Sequence, residues 1–357
     1  MTNRESQILS WIRENPLISQ QELAERAGIT RSSVGVHVSN LMKKGLITGR
    51  GYVLCEEEYI TVIGGVNIDI GGIPSSTLIA EDSNPGKVRM SFGGVGRNIA
   101  HNARLLGIDV SMMTVFGDDL NAKRIIENCK ELGIDVSNSP LLDGMRTSTY
   151  LFIDDEHGDM KLAVSDMEIY DRLTPGLIST RERLLQGASA IVIDTNIPKE
   201  TIEYIANNAN APIFADTVST AKAEKLKGII GKLHTLKPNR IEAELLSGVK
   251  IRDEKSLKRA AKKLLDTGLK RVFITLGADG VLAAEEGTFI KLGLDECNLK
   301  NATGCGDAFT AALVWAYMKG LDLEKSAKAG LAAASVAMES EDTINDMMSE
   351  ELLASRM

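Results

Sequence analysis

From Tyr59 onward, short apolar runs alternate with amphipathic stretches, and this rhythm constrains the fold more than any other feature of the chain. Residues 60–66, 110–116, 190–194, 212–216, 233–236 and 271–276 read as buried strands. Between them, residues 98–106, 122–132, 199–206, 242–246 and 256–265 space their apolar side chains as helices do. Such alternation predicts an α/β fold, a mostly parallel sheet with helices on both faces and hence three layers. Ligands of these sheets sit beyond the carboxyl ends of the strands. Residues 87–92, 148–154 and 160–164 are strand-like but fall outside the rhythm. The last two are joined by Asp155-Glu156-His157-Gly158, a hairpin signal. The three predict a small β lid standing off the main sheet, near residues 87–92 and 148–164.

The chain has 357 residues, and at roughly 150 per domain that allows two. Residues 1–55 form the other unit. They hold seven Lys/Arg against four Glu, an excess of three positive charges; the whole chain carries −8, so the remainder carries −11. Nucleic acid is a plausible partner for this basic head and is repelled by most of the acidic body. Glu56-Glu57-Glu58 reads as a solvated linker, residues 56–58, into a body spanning 59–345. No apolar run approaches the roughly 18 residues of a membrane span, so no membrane partner is expected. No basic stretch followed by an apolar core opens the chain, so no signal peptide is expected either. Cys55, Cys129, Cys297 and Cys305 form no Cys-x-x-Cys pair. A reducing, cytoplasmic setting fits that usage.

In the head, Ile8, Leu9 and Ile12 share a helical face that Pro16 ends. Ser19-Gln20-Gln21-Glu22 has the spacing of a capping box, and Leu23, Ala24 and Ala27 face inward after it. Gly28 turns the chain, and Thr30 caps a third helix from Arg31 to about Lys44, with Val34, Val38, Leu41 and Met42 on its apolar side. Residues 46–54, with Gly49-Arg50-Gly51 at the tip, read as two short strands and a turn. The pattern resembles a winged helix-turn-helix. That resemblance implies a third helix in a major groove, with Arg31, Ser32, Ser33 and His37 facing bases or phosphates and Arg50 facing the DNA backbone. A docking or dimerisation module would show the same pattern.

Two glycine turns carry chemistry in the body. Asn301-Ala302-Thr303-Gly304-Cys305-Gly306-Asp307 follows a strand-like stretch and opens an apolar helix. Free N–H groups at such a helix start favour negative charge, and a carboxylate at its edge can take a proton from an attacking hydroxyl. A plain helix cap would look similar. Phe92-Gly93-Gly94-Val95-Gly96-Arg97-Asn98 also enters a helix; it lacks the third glycine of a dinucleotide fingerprint, and no P-loop is present. Cys305 also sits at a helix start, where a thiol pKa can fall, but the anion turn needs only its backbone. His101, His157 and His234 have no ligand-like spacing.

In this order and at this separation, the two turns resemble the paired signatures of the PfkB, or ribokinase-like, carbohydrate kinases, over residues 59 to about 340. Supporting pieces are Asn67 and Asp69 after the first strand, Asn239-Arg240-Ile241-Glu242, and Thr275-Leu276-Gly277 through Gly280. Within the family, several stretches look most like the pseudouridine kinases. They are Asn67-Ile68-Asp69, the run ending Asn84-Pro85-Gly86-Lys87, Gly93 through Ala100, Ser165-Asp166-Met167, Asp194-Thr195-Asn196 and His234 through Arg240. The resemblance implies a ribokinase-like sandwich and ATP-dependent phosphorylation of the 5′-hydroxyl of a C-nucleoside, pseudouridine. It implies Asp307 as base and the backbone of Gly304, Cys305 and Gly306 as anion hole. Asn67, Asp69, Gly93, Gly94, Asn98 and Asn196 would surround the ribosyl group. Lys237, Asn239, Thr275, Gly277 and Gly280 would face ATP, with Glu242 acting on Mg2+ through water. Related kinases pair through their lids, which implies a homodimer.

Two features depart from the family pattern. Asn301 stands where many members have Asp near a monovalent-cation site, which leaves potassium activation open. The head is absent from the shorter kinases. Other nucleosides (inosine or another purine nucleoside) or ribose are alternative substrates, and a sugar phosphate would need cations such as Arg97 or Lys87. A nucleoside-responsive DNA-binding regulator is the alternative from another functional class.

Overall fold

The computed structural model describes residues 1–49, 58–157, 159–295 and 297–357. In chain order its strands are β1 (Tyr59–Ile63), β2 (Asn67–Pro74), β3 (Gly86–Gly93), β4 (Asp109–Met113), β5 (Phe116–Gly117), β6 (Ile134–Asp135), β7 (Leu141–Leu142), β8 (Thr149–Asp154), β9 (Met160–Asp166), β10 (Ala190–Asp194), β11 (Ile213–Asp216), β12 (Thr235–Lys237), β13 (Arg271–Thr275), β14 (Val281–Glu285) and β15 (Thr288–Leu292). The helices are α1 (Asn3–Glu14), α2 (Gln20–Ala27), α3 (Arg31–Lys43), α4 (Val95–Leu105), α5 (Leu120–Glu131), α6 (Pro175–Ser179), α7 (Glu182–Gln186), α8 (Lys199–Asn208), α9 (Thr220–Ala223), α10 (Arg240–Ser247), α11 (Glu254–Leu265), α12 (Cys305–Met318), α13 (Leu323–Met338) and α14 (Glu350–Ser355).

Nine strands form the main sheet in the order β15-β14-β13-β12-β11-β10-β1-β4-β6. All neighbours pair in parallel except β14 and β15, an antiparallel edge. Along the central strands, alternate residues feed two cores, which is why these runs are apolar throughout. Ile60, Val62, Ala190, Val192, Phe214 and Phe273 pack with α4, α5, α12 and α13. Ile63, Ile191, Ile193, Ala215, Val272 and Ile274 pack with α6, α8, α10 and α11. Strand order reverses at β1, between β10 and β4. A crevice therefore opens beyond the carboxyl ends of β1 and β10, where such sheets bind ligands.

The lid is a four-stranded sheet in the order β3-β2-β8-β9, one strand more than the sequence predicts. Residues 67–74 escape notice because a lid strand has no second layer to bury it, and Gly71-Gly72 dilutes its apolar pattern. The hairpin of β14 and β15 is a further strand pair that the alternation does not reveal. The motif beginning at Asn301 does not follow a strand: β15 ends at Leu292, and the described residues from 293 to 304 carry no regular structure.

The head packs its own core from Ile8, Leu9, Ile12, Ile18, Leu23, Ala24, Val34, Val38, Leu41 and Ile47. Ser19 and Glu22 form the expected capping box, Gly28 ends α2 in the left-handed region, and Thr30 caps α3. Met42 is 45% exposed rather than part of the apolar side. Arg50, most of the expected wing, and residues 56–57 of the linker lie outside the described residues. Among the described residues no helix is long and apolar enough to cross a membrane.

Candidate active site

The buried centre of the site is Asp307, in the first turn of α12. Gly304 caps this helix at φ 83°, and no side chain caps it, so the first-turn N–H groups stay available. Only glycine suits that position: beyond the backbone conformation, a Cβ would run into the Thr343 carbonyl. Asn98 Nδ2, from α4, donates to Asp307 Oδ2 at 2.9 Å. Burial, then the neighbouring negative charge of Asp216, pushes the Asp307 carboxyl up to about 8.

Lys237, at the end of β12, lies beside that turn. Its Nζ is 3.1 Å from Asp216 Oδ2, and a Cβ on Gly306 would approach the same Nζ to 3.1 Å. Burial opposes its charge, but Asp216 and Asp307 outweigh burial and hold it above the usual lysine range. Thr310 Oγ1 donates to the same Asp216 oxygen at 2.9 Å. A fixed cation, a helix start without a side-chain cap and a carboxylate of raised pKa thus converge on residues 304–307. This set fits an anionic group in transfer, together with a proton acceptor near neutrality.

One oxygen of the Glu242 carboxylate is engaged by the fold. Its Oε2 accepts from Asn239 N at 2.8 Å and from Thr217 Oγ1 at 2.5 Å, as part of the capping box that starts α10. Asn239 bridges to Thr275, whose N–H donates to Pro238 O at 3.0 Å, while Leu276 N donates to Gly280 O at 2.8 Å. The predicted nucleotide residues thus share one rim, at the ends of β12 and β13. Among the described residues, no group of three or more His, Cys, Asp or Glu is arranged to hold a metal ion.

The second glycine turn lies against the end of β1. Gly94 starts α4 at φ 97°, and a Cβ there would sit 2.5 Å from Gly65 O. Asp194, closing β10, accepts from Gly65 N at 2.7 Å and from Asn196 N at 2.8 Å, fixing both loops of the crevice. Asn67 donates to Asp69 Oδ1, and Gly93 leaves room for the Asp69 carboxylate. Burial pushes Asp69 up to about 6, against the pull of the Asn67 bond and of Arg97.

Arg97 does not reach out for a substrate. Its Nη1 donates to Phe92 O at 3.2 Å and its Nη2 to Asn128 Oδ1 at 2.6 Å, and it is buried. Lys87 is exposed on the lid. The Cys305 thiol moves opposite to an activated one: burial, then Asp307, pushes it up to about 11. Asn301 is engaged at both ends, accepting from Thr303 N at 2.9 Å and donating to Glu341 O at 3.0 Å. An Asp could not make the second bond.

Sequence reasoning missed Asp216, Thr310 and Lys222. Lys222 Nζ donates to Asn196 Oδ1 at 2.6 Å and lies 3.7 Å from Met167 Sδ, at the root of the lid. The one available signal for Asp216 was a carboxylate closing an apolar strand, as Asp194 also does. In the head, Arg31 and Ser32 are exposed, while Ser33 and His37 are half-buried.

The model of the pfkB family carbohydrate kinases matches residues 57–350. The chain belongs to that family. It is therefore a phosphotransferase with an alcohol acceptor. A winged helix-turn-helix DNA-binding model matches residues 1–48. The chain is 37% identical to the uncharacterized sugar kinase YeiI of Escherichia coli, over 98% of this chain and 97% of that one. It is 34% identical to the pseudouridine kinase of the same organism, over 82% and 95%. A ribokinase structure from Thermotoga maritima superposes with a TM-score of 0.75 at 24% identity, covering 84% and 98%. An Arabidopsis thaliana ribokinase, solved with ribose and ATP, superposes with a TM-score of 0.72 at 19% identity, covering 84% and 98%. These two likenesses bear out the predicted ribokinase-like fold.

Proposed function

We propose that this kinase transfers the γ-phosphoryl group of ATP to the 5′-hydroxyl of a nucleoside, with pseudouridine as substrate. The observation that carries the reading is Asp307, buried beside the uncapped start of α12 and flanked by Lys237. The choice of nucleoside is supported by the 34% identity to a pseudouridine kinase.

The ribosyl group lies between Asn67, Asp69, Asn98 and Asn196, in the crevice beyond β1 and β10. Gly93 and Gly94 let the Asp69 carboxylate and the turn after β1 pack close enough to shape that crevice. Asp69 accepts hydrogen bonds from ribosyl hydroxyls. Asp307 takes the 5′-hydroxyl proton while the oxygen bonds to the γ-phosphorus in line, and the bond to the ADP oxygen breaks. The amides of Gly304, Cys305 and Gly306 and the Lys237 ammonium hold the charge on the transferring oxygens. Lys237, Asn239, Thr275, Gly277 and Gly280 border the nucleotide. Mg2+ keeps several waters and leans on substrate phosphates, so a site with Glu242 and Asp216 at hand suits it without a three-carboxylate cluster. When bound there, such an ion would supply positive charge to the phosphates of the nucleotide. The lid excludes water.

Incubation with ATP, Mg2+ and pseudouridine, uridine, inosine, adenosine or ribose tests the reading. Pseudouridine should give the highest kcat/KM; a preference for any other acceptor rejects it.

A second reading adds regulation. The basic head matches a DNA-binding model, and α3 exposes Arg31 and Ser32. We infer that it binds DNA and that the chain works as a homodimer. The outward face of the lid supports pairing: Val88, Met90, Leu162 and Val164 are 75%, 53%, 62% and 55% exposed, a patch that rarely faces water in a monomer. Val88→Asp with Leu162→Asp should convert the dimer to a monomer in gel filtration. An unchanged elution volume would remove the lid from the interface.

A further inference from the structure

The pairing register of the lid fixes which side chains share its inward face. Asp69 lies opposite Ser91 on β3 and Tyr150 on β8, and Tyr150 lies opposite Ser165 on β9. In the next row, Gly71 lies opposite Arg89 and Phe152. Strand neighbours are about 4.8 Å apart, so Tyr150 is the immediate companion of the carboxylate assigned to ribosyl hydroxyls.

The two rings form a tilted pair, with centroids 5.9 Å apart and planes at 33°. The far end of the Phe152 ring lies over Gly71 of β2, where a Cβ would come within 2.6 Å of it. Nothing but hydrogen therefore separates that ring from the strand. Both aromatic residues are only half-buried, and every residue of β9 beside them is exposed. The pair is thus not the interior of a second layer. It is an aromatic surface left open beside a hydroxyl-binding carboxylate.

We propose that Tyr150 and Phe152 are the nucleobase platform of this kinase and set its choice of nucleosides over free sugars. This rests on the nucleoside reading above and deepens it. A free pentose presents hydroxyls to Asp69 and has nothing to cover the rings. A nucleoside whose sugar is held at Asp69 carries a planar heteroaromatic group close enough to stack on them. Stacking accepts any base face, so the platform selects for the presence of a base. Which base is preferred then depends on polar groups at its edge.

The test compares pseudouridine and ribose, by turnover and by calorimetric binding, in the full-length chain. Tyr150→Ala and Phe152→Ala should each lower the pseudouridine-to-ribose ratio of kcat/KM about ten-fold or more, the loss of one ring–base stack, through KM rather than kcat. Tyr150→Phe, which keeps the ring, should restore the ratio. Phe152→Leu, which keeps apolar bulk without a π face, should still lower it and so separates stacking from lid packing. Equal losses for both substrates would make the rings structural and overturn the proposal. A ratio unchanged in both alanine variants, with the parent still preferring pseudouridine, would place the base elsewhere and overturn the platform alone. A parent that prefers ribose defeats the nucleoside reading itself, and the platform with it.

Discussion

Asp307 combines two properties that ordinarily conflict: it is buried, and in the proposed mechanism it must hold a charge. Burial and Asp216 raise its pKa from 3.8 to about 8, while Asn98 and Lys237 favour the ionised form. Its basic form therefore accumulates as pH rises through that value. The kcat/KM for the acceptor should climb with pH up to about 8 and then level off. The KM for the nucleoside should rise as pH falls through about 6, where Asp69 gains a proton. A pH–rate profile checks both limbs. Asp307→Asn should lower kcat by about 10²–10⁴, the usual span for a positioned base, with nucleotide affinity retained. The same variant bears on stability. Between pH 3.8 and 8 the folded protein holds a proton at Asp307 that the unfolded chain has released, so this residue's contribution to stability falls as pH rises across that window. The melting temperature of Asp307→Asn should thus exceed that of the parent by more at pH 8 than at pH 4.

At the scale of elements, the site is a meeting of termini. The starts of α4, α10, α12 and β2 and the ends of β10, β11, β12 and β13 supply most groups in it. Strands buried on both faces were legible in the sequence because each must be apolar throughout; 190–194 coincides with β10 residue for residue. Lid strands obey no such rule: β3, β8 and β9 were still strand-like enough to read, while Gly71-Gly72 hid β2. Local turns such as 93–98 and 301–307 announced Asn98 and Asp307. Asp216 and Lys222 join them only in space, from segments that carry no motif of their own, while Thr310 follows Asp307 on α12 but lies beyond the motif. The same logic locates fragility. Gly304→Ala combines a strained left-handed backbone with a collision against Thr343. It should lower the melting temperature by several degrees and raise the KM for ATP, as thermal denaturation and initial-rate kinetics would show.

At the scale of the whole molecule, head and body have separate hydrophobic cores. Their charges are opposite in sign, which a single continuous function would not require. Removal of residues 1–49 should leave nucleoside phosphorylation within a few-fold of the parent and abolish DNA retardation; loss of turnover in a folded truncation would show that the body depends on the head. The bond between Asn98 and Asp307 has a different reach. It ties α4 to α12, two helices far apart in sequence that pack as neighbours, so the proposed proton acceptor is aimed by the seating of one rod against another. Both helices belong to the buried core, and such elements open only near global unfolding, while a misalignment of about half an ångström is enough to spoil a reacting geometry. Activity and the folded state should therefore be lost together on heating, which parallel activity and circular-dichroism melts would check.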